Sequence, residues 1–234
     1  MLFKVENLNL IYDIGKEVQT YALRNINLSL EGNRLIGIMG PSGSGKSSLL
    51  YSLAGLKTPS SGTVSYKNMK LNELSISKST ELRRKDFGFI FQRHFLIDYM
   101  SILDNVLTPI NDNSTKAKDK ARALLGKLGI EHLANKKPHQ LSGGQRQKVA
   151  IARALINDPK VIFGDEITAS LDHASAKEVM KLLDEYTSNA LVIVVTHDPS
   201  ILENANDIIN IWDGAITSIE NKEGKDNYES AVNL

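Results

Sequence analysis

The chain contains no cysteine. That excludes a disulfide framework and thiolate metal sites, and it fits a reducing compartment. Charge of one sign is also lacking: 28 Lys and Arg stand against 27 Asp and Glu, a formal net charge of +1. No long basic block occurs, so the charge pattern gives no support for a nucleic-acid partner. Long apolar runs are missing too. The run Leu191–Val195 falls far short of the ~20 residues that span a bilayer. The first residues, Met1 to Asn7, read as strand and do not have the basic-then-apolar layout of a secretory signal. No internal repeat and no heptad run is present. These absences lead to the expectation of a soluble cytoplasmic chain with no membrane span, whose membrane role, if any, comes through a partner. Its 234 residues suffice for one large domain or two lobes with a substantial core.

What is present is organised around Gly40–Ser47, which fits G-x-x-x-x-G-K-[ST]. A short apolar strand, Arg34–Met39, precedes it, and good helix formers from Ser47 to Ala54 follow. Strand, glycine loop and helix are the context that gives this pattern meaning. Gly40, Gly43 and Gly45, with Pro41, Ser42 and Ser44 between them, let the backbone turn its N–H groups inward to cradle phosphate oxygens. The helix N-terminus, including Ser48, adds partial positive charge. Lys46 can reach the outer phosphates of a nucleotide, and the Ser47 hydroxyl can hold Mg²⁺. The plainer reading is a glycine turn between strand and helix.

Apolar alternation over Phe3–Tyr12 and Ile26–Leu30 predicts two strands with a half-buried face. Further strands are expected at Gly62–Tyr66, Phe87–Phe91, Val161–Phe163 and Leu191–Val195, with a short basic helix over Ser77–Lys85. Ile208–Trp212 and Ala215–Ile219 flank Asp213 and Gly214, a hairpin signal. Between about Gln92 and Asp158 the character becomes helical. Ser114–Leu128 carries Ala117, Ala121, Leu124, Leu125 and Leu128 on one face, and a second helix is expected over Arg146–Ile156. Another helix is expected from Asp172 to about Tyr186. Strands alternating with helices imply a mostly parallel α/β sheet. The segment from Asp13 to Gln19 reads as a turn-rich connection, and the polar end of the chain reads as a loosely ordered tail.

Two further stretches carry chemistry. Val161–Gly164 delivers Asp165 and Glu166 to the end of an apolar strand, the ligand-binding edge of an open α/β sheet. Asp165 would hold Mg²⁺ indirectly, accepting a hydrogen bond from a Mg²⁺-bound water, and Glu166 would polarise an attacking water. Solvated acids at a strand end are the alternative. Leu141 followed by Ser142, Gly143, Gly144 and Gln145 again places glycines at a helix start, a second anion site that would complete the phosphate site of another copy. A plain helix N-cap reads the same residues equally well.

Together these stretches resemble the ATP-binding cassette ATPases over about Leu2 to Glu220. Gly40–Ser47 matches the Walker A loop and Val161–Asp165 with Glu166 the Walker B strand. Gln92 matches the Q-loop glutamine, Leu141–Gln145 the signature, Ser170–Asp172 the D-loop and His197 the switch histidine. All six stand in family order. The resemblance implies a P-loop NTPase (RecA-like) core with a mostly parallel sheet, an antiparallel β subdomain and an inserted helical subdomain. The core would cover about 1–91 and 159–220, the helical insert about 92–158, and a polar tail 221–234. It implies ATP and Mg²⁺ as cofactors, Ser47, Gln92 and Asp165 around the metal, and Glu166 and His197 as the catalytic pair. Tyr12 resembles the aromatic that stacks on adenine, with Tyr21 as the competitor. His94, His132, His139 and His173 read as surface or structural residues.

Phe91–Val106 and the insertion after Tyr12 are similar to the lipoprotein-release, macrolide and peptide export and cell-division cassettes. Two positions depart from the pattern. Ile167 stands where proline usually follows the glutamate, and Asp104 where this subgroup often has glutamate. The resemblance implies a homodimer that closes on Mg-ATP at the inner face of the membrane and drives a separate permease in export. Mechanical signalling through a non-transporting membrane protein is the alternative. A chromosome-organising cassette is disfavoured by the missing heptads and basic excess.

Overall fold

Strand β1 (Phe3–Tyr12) pairs antiparallel with β2 (Thr20–Leu30), and on each the alternate apolar residues turn to one buried face. The ladder shifts register near Asn7 and Asn25, which take left-handed φ of 48° and 46°. Asparagine tolerates that conformation. The displaced N–H groups are repaid locally, Asn7 N by Asn27 Oδ1 and Asn25 N by Asn9 Oδ1, both at 2.9 Å.

The chain continues through β3 (Leu35–Met39), α1 (Lys46–Leu53), β4 (Ser61–Tyr66), β5 (Met69–Lys70), α2 (Ile76–Asp86) and β6 (Phe87–Ile90). Then come α3 (Ile102–Leu107), α4 (Thr115–Lys127), α5 (Gly143–Leu155), β7 (Val161–Asp165) and α6 (His173–Tyr186). Last are β8 (Leu191–Val195), β9 (Asp207–Trp212) and β10 (Ala215–Asn221). The computed structural model describes residues 1–13, 15 and 19–222. The expected turn after Tyr12 lies partly outside these residues, and the tail lies outside them from 223 onward.

Two sheets result. One is antiparallel, in the order β2-β1-β4-β5; the other has six strands in the order β10-β9-β3-β8-β7-β6. In the second sheet β9, β3, β8, β7 and β6 run parallel, and only β10 is antiparallel, at an edge. Side-chain alternation divides its two faces. Ile36, Ile38, Val161, Phe163, Leu191, Ile193 and Val195 pack toward the antiparallel sheet and α1. Leu35, Ile162, Val192 and Val194 pack against α3, α4, α5 and α6. Burial on both faces is why these strands read as unbroken apolar runs.

Helix α4 follows its amphipathic pattern. Ser114 Oγ caps it by accepting from Ala117 N at 3.2 Å, and Gly129, at φ 72°, follows its end. Two elements lie beyond the sequence reading. Strand β5 has only two residues, and α3 only six, too few for a helical period to register. Helix α3 holds a fully buried Asn105, whose side chain accepts from Ile97 N at 2.7 Å and donates to Ile97 O at 3.1 Å and Ser101 O at 2.9 Å. One amide thereby closes the irregular loop after β6. Boundaries also differ: β2 starts at Thr20, well before Ile26, α5 starts at Gly143, earlier than Arg146, and β10 runs through Asn221, past Ile219.

Candidate functional site

Strand β3 lies between β8 and β9, with the chain departing from its end into the Gly40–Ser47 loop. Such a point in an open α/β sheet leaves a crevice beyond the strand ends. Gly40 and Gly45 are needed for close approach: a Cβ would stand 2.1 Å from Ile211 O at Gly40 and 2.4 Å from Ala22 O at Gly45. The β9–β10 hairpin, turning at Asp213 (φ 44°) and Gly214 (φ 78°), braces the loop from behind, with Gly214 N donating to Ser44 O at 2.9 Å. Lys46 is buried, and its Nζ donates to Gly40 O at 2.9 Å and Pro41 O at 2.8 Å. The ammonium is thus folded back over the loop. Ser44 Oγ is buried with no hydrogen-bond partner. A buried unpaired hydroxyl inside a loop of this shape suits a polar ligand.

Ser47, in the first turn of α1, donates its hydroxyl to Asp165 Oδ1 at 2.8 Å. Asp165, at the end of β7, is buried and also accepts from Tyr51 Oη, on Oδ2, at 2.6 Å. Glu166 follows in a left-handed conformation, φ 49°, with its N–H on Val195 O at 3.0 Å. That turn aims its carboxylate across to β8, where His197 Nδ1 lies 3.0 Å from Oε2 and 3.1 Å from Oε1. The parallel pairing of β7 and β8, Asp165 beside Val195, brings these two strand ends together.

An open cleft of about 490 Å³ runs from the loop toward the antiparallel sheet, lined by Gly43, Gly45, Lys46, Ser47 and Ser48 at one end and by Tyr12, Tyr21, Arg24 and Asp213 farther out. Tyr12 hydroxyl meets Ser48 Oγ at 3.3 Å, and Lys57 Nζ lies 5.3 Å from its ring centre. Arg24 lies over the Tyr21 ring at 5.3 Å and pairs with Asp213 at 3.4 Å. Both aromatic rings therefore stand where a flat base could stack.

The remaining residues singled out in the sequence lie elsewhere. Gln92 is exposed and lines a different cleft, with Arg93, His94, Asp98, His139 and Arg146. Ser142 and Gln145 form a reciprocal capping box on α5: Ser142 Oγ accepts from Gln145 N at 3.2 Å, and Gln145 Oε1 accepts from Ser142 N at 2.9 Å. Gly143 and Gly144 form its first turn, and Gly144 abuts Ser170 O. His94 is no plain surface histidine. Its Nε2 is buried without a partner, and burial with Arg146 and Arg153 nearby pushes its pKa down. Ile167 is fully buried and sits in the space left by Gly164. Its turn closes without proline, through Ala169 N on Glu166 O at 3.2 Å and Leu171 N on Thr168 O at 3.0 Å. Asp104 is taken up by its own helix cap, accepting from Ser101 Oγ at 2.6 Å. Tyr51 escaped the sequence reading, although its i+4 spacing from Ser47 places both hydroxyls on one face of α1.

A phosphate-cradling loop at the end of a central parallel strand, with a buried carboxylate on its serine, defines a P-loop NTPase fold. The match to known proteins is more specific. The family model described as ABC transporter matches residues 23–169, and the chain belongs to that family, as its ATP-binding and ATP-hydrolysing cassette. An uncharacterized ABC transporter ATP-binding protein, MJ1508, of Methanocaldococcus jannaschii is 44% identical over 94% of this chain and 100% of its own length. The lipoprotein-releasing system ATP-binding protein LolD of Wigglesworthia glossinidia brevipalpis is 41% identical over 92% of this chain and 96% of its own. A putative hemin import ATP-binding protein, HrtA, of Staphylococcus haemolyticus is 43% identical over 86% and 92%. The ATP-binding cassette MJ0796, solved as a dimer in a post-hydrolysis state bound to ADP and Pi, superposes with a TM-score of 0.90 at 38% identity, over 95% of this chain and 100% of that one.

Proposed function

We propose that this chain works in pairs, closing head to tail around two Mg-ATP molecules at the inner face of a cell membrane and driving a separately encoded permease. Among the described residues no helix is long and apolar enough to cross a membrane, so a spanning partner must supply the path. The observation that carries the reading is the junction at the ends of β7 and β8: Ser47 on Asp165, and Glu166 on His197, beside one glycine loop. We assign the cassette to 1–220, with a core of about 1–91 and 159–220 and a helical insert of about 92–158.

Ser47 and Asp165 suit Mg²⁺, which keeps several waters and takes one or two protein oxygens plus phosphates. When bound, Mg²⁺ neutralises charge building on the transferred phosphoryl group. Gln92 would join this site only on closure, since it lines a different cleft here. Lys46 would leave the Gly40 and Pro41 carbonyls for the outer phosphates. Glu166 would accept a hydrogen bond from water and align it with the γ-phosphorus. The water oxygen would bond to the γ-phosphorus as the Pγ–O bond to the β-phosphate breaks, with the water's proton passing by way of Glu166 to the released phosphate, giving ADP and phosphate. His197 would hold Glu166 and reach the γ-phosphate. Ser142, Gly143, Gly144 and Gln145 would complete the partner copy's site. The dimeric MJ0796 structures support the paired state.

The names of LolD and of MacB, a macrolide export ATP-binding/permease protein of Rhodopseudomonas palustris 42% identical over 86% of this chain, support export of a lipoprotein or drug. This chain spans 31% of that MacB. HrtA, named for hemin import, supports the opposite direction. Co-expression with a candidate permease encoded beside its gene tests the reading: ATP hydrolysis should co-purify with the membrane protein and vanish with Lys46→Ala. Hydrolysis that persists in Lys46→Ala contradicts the site. Transport assays in oriented vesicles separate export from import.

A further inference from the structure

We propose that Tyr51 is a positioning residue for ATP hydrolysis: its hydroxyl locks the carboxylate of Asp165, and its ring ties that carboxylate to the loop that begins at Gln92. Ser47 and Tyr51 lie one turn apart on α1. Each gives a hydrogen bond to a different oxygen of Asp165, at 2.8 Å and 2.6 Å. With one donor per oxygen the carboxylate plane is fixed, and Oδ1 stays turned to the serine that would hold the cation. Asp165 is 5% exposed. Loss of a donor therefore leaves an oxygen with little water to replace it.

The ring has its own neighbours. Tyr51 meets Phe91, the residue before Gln92, with centroids 6.2 Å apart. Phe91 stacks on Phe89 at 5.6 Å and meets Phe95 edge-on at 5.4 Å. Phe95 is 60% exposed. The phenol therefore bridges the buried carboxylate and an aromatic row that reaches the surface. Nothing in the phosphate-loop pattern requires a tyrosine at this position, so the bond to Asp165 lies outside the motif.

The inference rests on the reading of Ser47 and Asp165 as a divalent-cation site, and the test separates the two. Mn²⁺ binding in the presence of ADP is followed by electron paramagnetic resonance, and ADP affinity is measured separately in EDTA. A parent that fails to bind Mn²⁺ with ADP refutes the cation site itself, and with it the inference. Given a parent that binds, Tyr51→Phe keeps the ring and should weaken Mn²⁺ about tenfold, the scale of one hydrogen bond to a charged group, at unchanged metal-free ADP affinity. Phe91→Leu loosens the ring but keeps the hydroxyl, and should cost less. Parental Mn²⁺ affinity in Tyr51→Phe overturns the proposal. So does an equal loss of metal-free ADP binding, or a larger loss in Phe91→Leu.

Discussion

His197 Nδ1 stands 3.0 Å from Glu166 Oε2, and the two residues come from the ends of adjacent parallel strands. The histidine side chain is 72% exposed and the glutamate 16%, so a ring facing solvent covers a carboxylate turned inward. His197→Ala should leave ATP affinity within twofold and lower the hydrolysis rate about a hundredfold, the scale of one lost transition-state donor. Steady-state hydrolysis with calorimetric ATP binding checks both halves.

The base-binding end of the cleft offers two rings, Tyr12 and Tyr21. Tyr12 is joined through Ser48 to the helix that starts at the phosphate loop, whereas Tyr21 is 46% exposed. Tyr12→Ala should weaken ATP by about 1–3 kcal/mol, the range for a base stacked on an aromatic, and Tyr21→Ala by much less. Calorimetry on both variants ranks them, and the reverse order transfers the role to Tyr21.

Much of this was legible because β7 and β8 are buried on both faces and their apolar runs end in the functional residues. The loop glycines were legible because close backbone approach leaves no alternative to glycine. Three things were not. Tyr51 bears no motif, and only its spacing from Ser47 tells. Gln92 was singled out by resemblance alone, and it lines another cleft. The signature stretch reads equally as a cap, and a capping box is what its side chains form here.

Gly164 and Ile167 share one space. A Cβ on Gly164 would stand 2.9 Å from Ile167 Cγ2. Gly164→Ala should destabilise the protein by about 1–3 kcal/mol through overpacking, and Ile167→Ala, which alone costs about 2–5 kcal/mol through the cavity it leaves, should cost less in the Gly164→Ala background. Urea unfolding of the single and double variants reads the coupling, and simple additivity of the two changes would contradict it.

Asp86, at the end of α2, accepts from Tyr66 Oη and Lys67 Nζ, each at 2.8 Å. Burial opposes ionisation, but these two bonds and the charges of Lys67 and Lys85 prevail and hold its pKa below the ordinary 3.8. A depressed carboxylate stabilises the fold above its unfolded pKa, and that contribution fades as pH falls through the folded value. Asp86→Asn should therefore lower the melting temperature at pH 7, and the gap to the parent should close below about pH 4. Melts across that range test it; a gap independent of pH contradicts the assignment.

In the proposed head-to-tail pair, Glu166 orients water and the α5 N-terminus of one copy completes the phosphate site of the other. Glu166→Gln keeps size and hydrogen bonding but removes the charge. It should bind ATP, hydrolyse it very slowly and accumulate as a dimer. Ser142→Arg in the same protein puts bulk and charge where the partner's γ-phosphate docks, and that double variant should bind ATP yet stay at the single-chain mass of 25.8 kDa. The direct measurement is light scattering on the size-exclusion peak of both variants, at high protein concentration with Mg-ATP. A doubled mass for Glu166→Gln and a single-chain mass for the double variant is the predicted result. The same mass for both would contradict the account.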